Sequence, residues 1–178
     1  MGERLLVAVA AIIPVVALAF EHVGNVRISE RHHSHHDTYV VPVEFTRSLV
    51  LAMTFMAVLG LLVAWLCERD VFLADAVVVL GFFDAFLVTC FVMWSLVCRC
   101  RVSTFGDSMA VTPLVGPKVW VRYDQIERLE WTGMRVGSGF RNLEVWVDGR
   151  RAVTLLGIVD VEQIIMSIDR FDLLTKTG

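Results

Sequence analysis

From Ser48 to Leu66 the chain runs nineteen residues without a charged side chain. After the polar break Cys67-Glu68-Arg69-Asp70 it is apolar again from Val71 to Val97, interrupted only by Asp75 and Asp84. About twenty consecutive apolar residues cross a hydrocarbon layer as a helix, because each residue rises about 1.5 Å and lipid offers no partner to an open peptide group. Two such runs in tandem specify a transmembrane hairpin, with helices expected over 48–66 and 71–97. The constraint divides the chain into a membrane region, residues 1–98, and a separate compact domain, residues 99–178. A composition that is 56% hydrophobic and only 20% charged agrees with that division.

Leu5 to Phe20 is a third apolar segment. Its sixteen residues cover about 24 Å, so the span needs Glu21-His22-Val23 at the interface, giving a helix over 5–23. Pro14 is tolerable in a helix packed among others. Ala17-Leu18-Ala19 also has the look of a signal-peptidase site, which would make residues 1–19 a removable leader. The single Arg4, balanced by Glu3, is a weak basic region for a leader and favours a retained helix. Arg27, Arg31 and Arg47 lie between the first two helices, Arg99 and Arg101 follow the third, and Arg4 and Arg69 fall on the opposite side. Cytoplasmic loops carry the arginine excess. The expected protein is therefore a multi-pass chain of the cell membrane with a cytoplasmic C-terminal domain.

The polar loop 24–47 contains His32, His33, His35 and His36. On a helix His32 and His36 would share a face, as metal-binding pairs do. No cysteine is near and only Glu30 and Asp37 offer oxygen, so a solvated histidine tract is expected, with no metal and no cofactor. Metal or pH sensing through the tract is an alternative. Folding the hairpin at residues 68–69 sets Thr54 level with Asp84. Gly60/Ala64 and Gly81/Ala85 then form two pairs of small residues that let helices approach closely. A carboxyl group at mid-membrane is a candidate functional group. The expectation here is structural: Asp84 hydrogen-bonded to Thr54 or to a second copy. Trp65 and Trp94 lie near helix ends, as interfacial anchors do.

After Arg99 the pattern changes to short strands. Arg101–Phe105 and Ser108–Thr112 flank Gly106-Asp107, which suits a type II′ turn. In Val119–Tyr123, Val119, Val121 and Tyr123 face one side while Lys118 and Arg122 face the other. Ile126–Trp131 is a further strand burying Leu129 and Trp131. Asn142–Val147 and Arg151–Leu156 join through Asp148-Gly149, a strong hairpin signal. Asp160 can cap a last helix, with Gln163 three residues on. Val161, Ile164, Ile165, Ile168 and Phe171 or Asp172 follow the 3,4 spacing and give that helix one apolar face.

The Val102–Thr104 strand with Gly106-Asp107, the strand leading into Tyr123-Asp124-Gln125-Ile126, the 142–156 hairpin and the entry Gly157-Ile158-Val159-Asp160-Val161-Glu162 carry a resemblance. On these residues, 101–174 resembles a bacterial pleckstrin-homology-like (bPH) domain, a family that often follows two membrane helices. The resemblance implies a mainly-β, PH-like split barrel capped by a C-terminal α-helix at the inner membrane face. It brings no catalytic residues.

A net charge of -3 gives no reason to expect nucleic acid. Residues 99–178 hold eleven Lys/Arg and ten Asp/Glu, with Arg150-Arg151 as a doublet at a hairpin tip. Recognition of anionic headgroups needs clustered like charge. That domain has no histidine, a single cysteine and no nucleophile motif, so an enzyme is not expected. The leading expectation is a membrane-anchored interaction or scaffolding module that binds a protein partner or forms a homo-oligomer, with the bilayer as its other partner. Trp120 and Trp146 on the more polar strand faces, beside the 133–139 loop, are the candidate contact surface. A reader of lipid headgroups through Arg150 and Arg151 is the alternative.

Overall fold

The computed structural model describes residues 2–29, 37–132 and 141–175, and it divides into two compact units, residues 1–32 with 43–95 and residues 33–42 with 96–178. The first unit is helical: α1 is Gly2–Ser29, α2 is Val43–Glu68 and α3 is Ala76–Arg99, whose last turn belongs to the second unit. All three are long and apolar enough to cross a membrane. Their bounds differ from the expected ones for local reasons. Pro42 has no backbone N–H and a fixed φ, and α2 starts immediately after it. Asp75 accepts the Val77 N–H at 2.8 Å, so the cap sets the start of α3 and 71–75 stay outside the helix. Asp70, at φ 58, terminates α2, with its N–H on the Cys67 carbonyl and the Val71 N–H on the Leu66 carbonyl.

Buried positions in α2 are Val50, Met53, Ala57, Gly60, Ala64 and Cys67, an alternation of three and four residues that keeps one seam facing its neighbours. Ala10 and Ala17 of α1 and Leu87 and Trp94 of α3 join that seam. Leu51, Phe55, Val58 and Leu62 lie on the other side and are exposed. A Cβ on Gly60 would stand 2.7 Å from Phe83 Cγ, so the ring lies directly on the α2 backbone. A fold at residues 68–69 would have set Gly60 level with Val78. The connection instead occupies 69–75, and the register moves by about five residues, roughly 7 Å. Thr54 is therefore not level with Asp84. Of the two small pairs only Gly60/Ala64 is packed; Ala85 is exposed and nothing lies within 4 Å of a Cβ on Gly81. Trp94, expected as an interfacial anchor, is buried, whereas Trp65 is exposed.

The second unit contains two four-stranded sheets. The first has the order β1-β2-β3-β4, from Asp37–Val40, Arg101–Thr104, Ser108–Thr112 and Val119–Arg122. The second has the order β7-β6-β5-β8, from Arg150–Leu155, Asn142–Val147, Ile126–Thr132 and Leu174–Thr175, with β8 parallel to β5. A helical region followed by a mainly-β domain is thus the architecture.

β1 corrects the expected division at residue 98. It lies in the stretch read as polar loop, yet it pairs with β2 through Tyr39↔Val102, and Val41 is buried in the core of this unit. Gly106 also departs from expectation: it lacks the positive φ a type II′ turn requires, and the turn closes through Phe105 N–H to the Ser108 carbonyl. Asp148 at φ 50 and Gly149 at φ 67 form the left-handed pair expected of an Asp-Gly hairpin. Val102, Met109, Val111, Val121, Leu129, Leu143, Val145 and Leu155 fill the core. Trp131, expected to be buried, is only partly so. α4, Val161–Ile168, buries Val161, Ile164, Ile165 and Ile168, and the Asp160 side chain accepts the Gln163 N–H at 3.1 Å. The helix ends at Asp169, φ 50, so Phe171 leaves the apolar face and is exposed.

Candidate functional site

β4 alternates Val119 and Val121 toward the core with Trp120 and Arg122 outward. Trp120 stands opposite Ala110, a small residue that leaves room for an indole. The residue is 59% exposed. Phe105 stacks on it with centroids 5.3 Å apart, and Lys118 Nζ lies 4.6 Å from its centroid. Stacking and cation–π contact hold a large apolar surface in one orientation at low entropic cost.

Trp146 has a different setting. The register places Arg128, Trp146 and Arg151 in one row across β5, β6 and β7, with Glu130 opposite Glu144 beside it. Opposed carboxylates repel. Arg128 reaches Glu130 at 3.5 Å and Arg151 reaches Glu144 at 2.9 Å, which offsets that repulsion. The Arg128 guanidinium also covers the Trp146 ring at 4.4 Å. The indole Nε1 is buried and meets no acceptor among the described residues. Trp120 and Trp146 stand on different sheets and do not share a strand face. Arg150 is exposed at the hairpin tip, which Glu127 holds by accepting the Gly149 N–H at 2.9 Å. The Arg150-Arg151 doublet is therefore split in role, with only Arg150 unengaged by the acidic row.

In the helical unit Asp84 is 5% exposed, and both of its carboxyl oxygens are buried without a hydrogen-bond partner among the described residues. The Thr54 hydroxyl donates to the Val50 carbonyl at 2.9 Å, so the expected Thr54–Asp84 bond is not formed. The histidine tract, His32, His33, His35 and His36, lies outside the described residues, as does the 133–139 loop. Among the described residues no group of three or more His, Cys, Asp or Glu side chains could hold a metal ion.

Sequence reasoning missed a polar clasp around Tyr123. Its hydroxyl donates to the Phe105 carbonyl at 3.0 Å, and Arg170 Nη1 donates to the Tyr123 carbonyl at 2.9 Å. Burial pushes the Tyr123 phenol above its ordinary range, and burial likewise raises the Cys100 thiol. The strand alternation placed Tyr123 inward; its partners Phe105 and Arg170 lie 18 and 47 positions away, so only the tertiary fold brings them together. Comparison with protein families, with curated proteins and with solved structures returns no match for this chain.

Proposed function

We propose that this chain is a membrane-anchored interaction module without catalytic chemistry. Three helices cross the cell membrane, and a PH-like split barrel capped by α4 works at its cytoplasmic face by contacting a protein partner or a second copy of the chain. Two sheets closed by a terminal amphipathic helix support the barrel reading. The excess of arginines on one side of the helices supports the orientation.

The observation that carries the contact is Trp120: exposed, yet fixed by Phe105 and Lys118 before any partner arrives. Rigid exposed indoles are the side chains on which interface energy concentrates. The headgroup reading is weaker because Arg151 is already committed to Glu144 and basic and acidic residues in the domain nearly cancel. A benzophenone side chain at position 120 of the full chain, irradiated in native membranes, should give protein adducts, with itself or another chain. Adducts with lipid alone, or none, refute the proposal. For orientation, with native cysteines replaced, a cysteine at Arg69 should react with a membrane-impermeant thiol reagent in intact cells and one at Gly149 should not.

A further inference from the structure

We infer that the β3–β4 loop, residues 113–118, seats Val115 in the interfacial zone of the bilayer, so that the β domain touches lipid through this loop. The inference rests on the membrane-spanning reading of the three helices.

The register of the first sheet carries it. Val40, Arg101 and Thr112 are level with one another across β1, β2 and β3. Val40 lies just before Val43, where α2 begins, and Arg101 just after Arg99, where α3 ends. Both membrane helices therefore join the sheet at this one end. β3 leaves the sheet at the same end, after Thr112, and the chain returns to it at Val119, paired with Val111. The loop between thus lies at the end of the sheet where short links join it to α2 and α3.

Three details suit it to the interfacial zone. Arg99, the last residue of α3, donates from Nη2 to the Gly116 carbonyl at 3.4 Å and ties the loop to the end of the span. Gly116, at φ 109, makes the bend. Leu114 packs on the domain core, while its neighbour Val115 is 74% exposed. Arg99, Arg101 and Lys118 are exposed around this apolar tip, and long cationic side chains can lie along the interface with their charges in the headgroups. One valine binds a membrane weakly alone. Here the helices hold it beside the bilayer, so insertion is an intramolecular step at high effective concentration.

The test uses the full-length chain in nanodiscs of phosphatidylcholine with phosphatidylglycerol, with a benzophenone side chain placed in turn at Val115, Phe55 and Gly106. Phe55 is an exposed side chain on α2 and reports whether the spans sit in lipid. Gly106 closes the β2–β3 turn at the opposite end of the sheet, and a Cβ there meets nothing within 4 Å. Lipid adducts at Val115 and Phe55, several-fold above Gly106, are expected. Adducts at Phe55 without adducts at Val115 overturn the loop assignment and leave the spans standing. Equal labelling at Val115 and Gly106 also overturns it, and no lipid at either Phe55 or Val115 overturns both readings.

Discussion

The Tyr39 hydroxyl meets the Ser167 hydroxyl at 2.5 Å, joining the strand before α2 to α4 near the end of the chain. Tyr39 also pairs across β1 and β2 with Val102. The β domain is therefore built from two pieces of chain that the α2–α3 hairpin separates.

That arrangement makes β1 a structural requirement. A fragment of residues 96–178 leaves β2 as an open sheet edge and uncovers the core where Val41 sits. Its melting temperature should rise when a peptide containing residues 37–42 is added. In the full chain Tyr39→Phe should cost about 0.5–1.5 kcal/mol, the net scale of one hydrogen bond. A fragment equally stable with and without the peptide would show β1 to be dispensable.

Asp84 predicts a stabilising substitution. Its oxygens are buried without a partner among the described residues, and such burial costs about 1–3 kcal/mol. Asp84→Leu should therefore raise the thermal stability of the detergent-solubilised chain, and Asp84→Asn should change it less. If Leu lowers the melting temperature, the carboxyl group has a stabilising partner and the packing account is wrong.

Gly60 should be intolerant of a side chain. The added methyl group of Gly60→Ala would lie 2.7 Å from Phe83 Cγ and 2.8 Å from its Cβ, so α2 and α3 would have to part. Overpacking of this kind costs about 1–3 kcal/mol. Combining it with Phe83→Gly, which removes both contacted atoms, should cost less in thermal denaturation than the sum of the two single losses. Additive losses would mean that the two residues do not meet.

Most of the fold was legible because it rests on periodicities. The uncharged runs gave three helices, the alternation at Val119–Tyr123 gave an inward and an outward face, and the 3,4 spacing at Val161–Ile168 gave the buried side of α4. The misses have physical causes. β1 has four residues, and its partner lies more than sixty positions away, so pairing rather than local pattern makes it a strand. The α2–α3 register depended on where Asp75 starts a helix, which moved Thr54 away from Asp84. For the candidate site, alternation placed Trp120 and Trp146 outward, but only the strand order separates them into different sheets. The Arg151–Glu144 pair required the cross-strand register, which a bulge in β7 shifts.

Tyr123 predicts an alkaline loss of stability. Its phenol is buried, donates to the Phe105 carbonyl, and is raised above the ordinary value of 10.0, chiefly by burial. The unfolded chain releases this proton near the ordinary value, whereas the folded chain holds it to higher pH. In that window the folded state binds more protons, so stability falls as pH rises, by at most about 1.4 kcal/mol per pH unit for one group. The contribution is fully present below the unfolded value and is lost as pH climbs toward the folded one. Cys100, raised by burial from 9.0, acts in the same direction and begins earlier. Denaturant midpoints measured between about pH 8 and 11 should decline across this range. Tyr123→Phe should lower the plateau by about 1 kcal/mol for the lost hydrogen bond and flatten the decline above the tyrosine range. Cys100→Ala should flatten its earlier part. An unchanged slope in Tyr123→Phe would mean that the phenol titrates alike in the folded and unfolded chain, which would overturn this account.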